Sequence, residues 1–164
     1  METGRDFLRA QVNHAVAQHK AFLDSLDDHA RQAKDARFRD LCNRHHAAMQ
    51  KHQGMLERYQ ETLGGEREGT AKEMLSMIAN TGKGLVDAAR HDDFLRLVGD
   101  VVMARQAEVT FKTFRDAGRE LGEMELARIG EEAERGLDRY VEAANRLVRD
   151  MFVECAQEVA VGVR

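Results

Sequence analysis

The stretch TAKEMLSMIANTGKGLVDAAR, Thr70 to Arg90, decides which all-helical architecture this chain adopts. It is too long for a tight turn and too well patterned for a disordered linker. Thr70 and Glu73 have the Thr-x-x-Glu form of a capping box, which predicts a short helix, and Gly82 and Gly84 then interrupt it. Such a piece reads as a crossover that runs the length of a bundle. With short links elsewhere, it predicts a four-helix bundle with one long central connection, not a simple up-down-up-down one.

Outward from the crossover, the helical period picks out four long amphipathic stretches. Before it lie Leu8, Val12, Ala15, His19, Phe22 and Leu26, then Phe38, Leu41, His45, Ala48, His52, Met55 and Tyr59. Gly64-Gly65 supplies the conformational freedom that ends the second helix. After it come Phe94, Leu97, Val101, Ala104, Glu108 and Phe111, opened by Asp92 or Asp93 as N-cap and closed near Gly122. The fourth and longest stripe is Leu126, Gly130, Ala133, Leu137, Tyr140, Ala144, Leu147 and Met151, continuing toward Cys155 and Val159.

Composition agrees with one all-α domain over residues 1–164. There is no proline, aromatic residues are 5% of the chain and 33% of residues are charged. A net charge of −4 with no Lys/Arg cluster argues against nucleic acid as a partner. No apolar run approaches the roughly 20 residues that span a bilayer, and the N-terminal METGRDFLRAQ has no signal-peptide core, so a cytoplasmic location and no membrane partner are expected. Cys42 and Cys155, each in an apolar helical pattern, are expected as small core residues in a reducing compartment.

From Asp93 onward the chain resembles the YciF-like bacterial stress proteins of the ferritin-like superfamily. The residues that carry the resemblance are QAEVTFKTFRDAGRELGEMELARIGEEAE, Gln106 to Glu134. It implies a ferritin-like bundle, a homodimer, and, where the ligands are kept, a dinuclear metal site between the helices. Such a site takes a carboxylate from each of two helices and a Glu-x-x-His from each of the other two, a spacing that puts both side chains on one face. Here the third helix offers Glu108, the first offers His19 in place of a carboxylate, and the second offers Met49-x-x-His52. No Glu-x-x-His occurs in the chain, and Glu131, Glu132 and Glu134 flank the fourth helix's apolar stripe. Two divalent cations held by one carboxylate are short of both charge and hard oxygen ligands.

Two readings of the interior follow. In the favoured one, His19, His52 and Glu108 form a hydrogen-bonded polar cluster with no cofactor and no catalytic residue, inside a binding or structural protein associated with stress. In the alternative they hold iron or another divalent metal, and the protein is an oxidoreductase or handles iron. His45 and His52 cannot share an ion, being roughly 10 Å apart along the helix, and His45 is expected to point inward onto a hydrogen-bond partner. The methionines, Met49 among them, read as core filler. Thr81 to Gly84, TGKG, lacks the other elements of a phosphate loop. Cys42 and His46 share a helix face without making a nucleophile pair. Pairing of two copies is expected through Phe7, Val16, Phe114 and Val148, apolar residues outside the core stripes.

Overall fold

The computed structural model describes residues 4–65 and 92–161. They form four helices: α1 (Gly4–Gln32), α2 (Ala36–Thr62), α3 (Asp93–Leu121) and α4 (Met124–Val161). The ends are set by local chemistry. Asp35 caps α2, its carboxylate accepting from the backbone N–H groups of Arg37 and Phe38, and Asp92 caps α3 by accepting from Phe94. At the other ends, Gly64 and Gly65 take φ of 102° and 71° and Gly122 takes 75°, a region that side chains disfavour. Asp93, the other N-cap candidate, accepts from the Asp35 N–H at 2.7 Å and so ties the α1–α2 link to the start of α3.

Contacts between helices fix their directions. Ser25 meets Asp100 and Gln18 meets Thr110, so α1 and α3 are antiparallel. Lys51 pairs with Glu132 and Arg37 with Glu154, so α2 and α4 are antiparallel. Each short link also reverses the chain, so α1 neighbours α2 and α3, α4 neighbours the same two, and α2 and α3 run parallel across a diagonal. Tyr59, near the end of α2, hydrogen-bonds Glu123 at one end of the bundle, while α3 begins beside Asp35 at the other. The 27 residues of α2 correspond to about 40 Å of helix. The chain therefore leaves α2 at one end and enters α3 at the opposite one. The expected crossover, with its capping box, its glycine break and TGKG, falls on residues 66–91, outside the described residues.

The core is continuous from end to end. Val12, Phe22, Leu41, Leu56, Leu97 and Tyr140 are among its fully buried members, and every residue of the stripe expected on α4 from Leu126 to Met151 is buried. Helices α3 and α4 approach closely at Gly130, where an added Cβ would stand 2.4 Å from the Arg115 nitrogen and 2.5 Å from the Phe111 carbonyl oxygen. Among the described residues, no helix is long and apolar enough to cross a membrane.

Three expectations change. The inward face of α3 is Leu97, Asp100, Ala104, Ala107, Phe111 and Phe114, so Asp100 and Ala107 stand where Val101 and Glu108 were expected. A 3.6-residue period allows either seam, and contact with α1 on one side and α4 on the other selects this one. Phe114, expected outside, is therefore buried; Val16 and Val148 pack half-buried against the core, and only Phe7 of the four pairing candidates is exposed, at 59%. Finally, Cys42 is buried but Cys155 is exposed. At 38 residues α4 is the longest helix, and from Phe152 to Glu158 its side chains have too little bundle beside them to be covered.

Candidate functional site

Halfway along the bundle, His19 on α1 and His52 on α2 face each other with ring centres 6.2 Å apart and planes inclined by 59°. They are 1% and 2% exposed, deeper than histidine usually lies. Phe111 from α3 meets the His19 ring edge-on at 5.4 Å. Room for His52 comes from α4: a Cβ on Gly136 would stand 2.2 Å from the His52 Cε1 atom. Four helices thus build the site, each through a residue on its inward stripe.

The hydrogen bonds assign the protons. Gln53 spends its amide N–H groups on the Val16 carbonyl, at 3.3 Å, and on the Glu57 carboxylate, at 2.7 Å. Its Oε1 must then accept, so the 2.9 Å contact to His19 Nδ1 is an N–H donating to Gln53. That leaves a lone pair on His19 Nε2, and among the described residues neither that atom nor His52 Nδ1 has a hydrogen-bond partner. Burial lowers both pKa values to about 4; the Gln53 hydrogen bond opposes this at His19, and at His52 the His19 charge deepens it. Both imidazoles are neutral at pH 7.

Glu108 is not part of this arrangement. It lies half-buried on α3, its carboxylate 2.6 Å from Arg105, and lines an outer cleft of about 480 Å³ with Arg115, Arg119, Glu131, Glu134 and Arg135. The acidic residues of α4 are similarly committed. Glu131 pairs with Arg119 and Arg135, Glu134 with Arg115, and Glu132 with Lys51. Among the described residues, no group of three or more His, Cys, Asp or Glu side chains could hold a metal ion. The structure brings His19 and His52 together and leaves Glu108 outside.

A second polar cluster was not legible in the sequence. Asp100 is fully buried, accepting from the Ser25 hydroxyl at 2.7 Å and lying 2.7 Å from His29 Nδ1. Burial pushes its pKa up and the His29 and Ser25 hydrogen bonds pull it down. Nearby, Tyr140 packs edge-on against Phe22 and against His45, at 5.3 and 5.4 Å, with its hydroxyl unpartnered. His45 is half-buried, and this ring contact stands where a hydrogen-bond partner was expected. His46 turns away to Asp27, at 2.8 Å. Burial, with Asp100 adding to it, pushes the Cys42 thiol up to about 12, so that thiol is no nucleophile at neutral pH. The one signal in the sequence that could have found Asp100 is Ser25 and His29, four apart on the face of α1 that meets α3.

The fold and site together define an antiparallel four-helix bundle with a pair of neutral histidines at its centre. Residues 3–151 match the family model described as a domain of unknown function, DUF892, and the chain belongs to that family. No curated protein and no solved structure matches the chain.

Proposed function

We propose that the protein is a ferritin-like bundle, similar to the YciF-like bacterial stress proteins, whose dinuclear metal site has degenerated and which acts in the cytoplasm as a homodimeric binding or structural protein. Two features support the ferritin-like reading. The end of α2 and the start of α3 lie at opposite ends of the bundle, as a long central crossover requires, and the residues resembling that family, Gln106 to Glu134, form the α3–α4 hairpin.

The observation that carries the functional reading is the charge of the central layer. A dinuclear carboxylate site would need several ionised carboxylates facing inward. Around His19 and His52 the inward positions are instead Ala15, Met49, Ala107, Ala133 and Gly136, all uncharged, while Glu108, Glu131, Glu132 and Glu134 are drawn outward by arginine and lysine. Two divalent cations placed there would be uncompensated in a low-dielectric interior, so these residues do not fit such a pair.

Metal analysis and analytical ultracentrifugation test the reading. The full chain is purified without chelator and then incubated with ferrous iron or manganese in air. The expected result is a dimer that keeps no pair of divalent ions. Two equivalents per chain, with the absorption of an oxygen-bridged pair, would overturn the proposal.

A further inference from the structure

Two buried ring nitrogens at the centre of the bundle have no partner among the described residues, and their chemistry selects an occupant. His19 Nε2 is held as a lone-pair donor because Gln53 takes the Nδ1 proton, and His52 Nδ1 is similarly unpartnered on the opposing ring. Buried polar atoms without partners are rare in folded proteins, and two of them on rings 6.2 Å apart call for an explanation, a bound water or ion among the candidates. An occupant that meets both takes an electron pair from His19 Nε2 and, with the His52 proton on Nε2, a second from His52 Nδ1. It must also tolerate a layer whose inward positions carry no carboxylate, with Glu57 standing behind Gln53 and one hydrogen bond removed from His19.

That second condition separates the metals. A divalent ion brings two uncompensated charges into the core, whereas a soft monovalent ion brings one and is satisfied by neutral nitrogen and sulfur donors. The spacing agrees. With a metal–nitrogen length of about 2 Å and each nitrogen about 1 Å from its ring centre, two imidazoles on opposite sides of one ion have centres about 6 Å apart. His19 and His52 stand at 6.2 Å. Met49 is one turn before His52 on α2, on the same inward face and fully buried, and brings a thioether to the layer.

We propose that His19 and His52 bind one cuprous ion inside the bundle, with the Met49 thioether as the third donor and Gln53 as the positioning residue that orients His19. The proposal rests on the preceding reading that the dinuclear carboxylate site has degenerated. It assigns the same interior a different ion, donor set and stoichiometry.

The test is an anaerobic titration of the full chain with Cu(I) against bicinchoninate. It is run on the wild type and on Cys155→Ser, which removes the exposed thiol as a rival ligand. One tightly held Cu(I) per chain is expected in both, with X-ray absorption showing nitrogen and sulfur neighbours. His52→Ala should weaken binding by about 100-fold or more, and Gln53→Leu, which touches no ion, by about 10–100-fold. Failure of folded Cys155→Ser to take up Cu(I) would overturn the proposal and would mean that solvent alone occupies the gap. Unchanged affinity in both Met49→Leu and Gln53→Leu, with helical circular dichroism intact, would overturn it even if the histidine variants do not fold. Iron loading reads the parent proposal separately: two divalent ions per chain sink that reading, whereas a failed copper titration with no iron pair leaves it standing.

Discussion

Acid should destabilise this bundle through its two central histidines, by an amount that follows from their burial. Each has a pKa near 4 in the folded chain against 6.5 when solvated. Because the folded values are depressed, the unfolded chain binds more protons between pH 6.5 and 4. The stability these groups permit is present above 6.5 and is lost as the pH falls toward 4. From pH 7 to pH 5 the loss spans roughly 1.5 pKa units, or about 2 kcal/mol per histidine at 1.36 kcal/mol per unit, and about 4 kcal/mol for the pair. Other groups titrate over the same range, so the wild type alone proves little. His52→Leu removes one of the two contributions and leaves the carboxylates in place. Urea unfolding of both proteins at pH 7 and pH 5 should show the wild type losing about 2 kcal/mol more than the variant between the two pH values. Equal losses, within about 0.5 kcal/mol, would show that His52 is not buried as a neutral ring, and the account of the central layer would fall with it.

Two further outcomes test the packing. Gly99→Ala and Gly130→Ala are the same change on neighbouring helices and should have opposite signs. Among the described residues nothing lies within 4 Å of a Cβ at Gly99, so alanine should stabilise α3 by about 0.5–1 kcal/mol, whereas at Gly130 the clash is with backbone that cannot rotate away. Overpacking of about 3 kcal/mol, less the helical gain, leaves Gly130→Ala about 2 kcal/mol less stable, a fall in Tm of roughly 4–8 °C by calorimetry. Asp100→Ala takes the acceptor from the half-buried Ser25 hydroxyl and His29 ring and should cost about 1–3 kcal/mol in urea unfolding, with Ser25→Ala costing less because the His29 contact remains.

The four helices and most of their ends were legible because each is a local matter. An aspartate before an apolar run accepts the free N–H groups of the first turn, and a glycine can enter the left-handed region whatever surrounds it. The α3 cap could therefore be placed at Asp92 or Asp93, and Gly64-Gly65 and Gly122 at the helix ends, from their neighbours in the chain. The apolar stripe of α4 was legible for a related reason. It is long and regular enough that only one phase buries it.

Phase was less determined on α3, and the candidate site depended on it. Glu108 and Ala107 lie side by side, and either satisfies a helical period. What turns Ala107 inward is the packing of α3 against α1 on one side and α4 on the other, and Glu108 is held toward Arg105, a charge in the adjacent turn. Asp100 is the clearer case: by hydropathy it belongs outside, and only Ser25 and His29, 75 and 71 residues away, make its burial tolerable. The pairing of His19 with His52 is of the same kind, since periodicity put both rings on inward faces but could not give the relative height of α1 and α2. One strand of sequence carries the propensity of each helix and the face it buries, because those depend on residues a few positions apart. Which buried groups meet, and which are left with an unused lone pair, depends on contacts between distant segments, and those exist only once the four helices have packed.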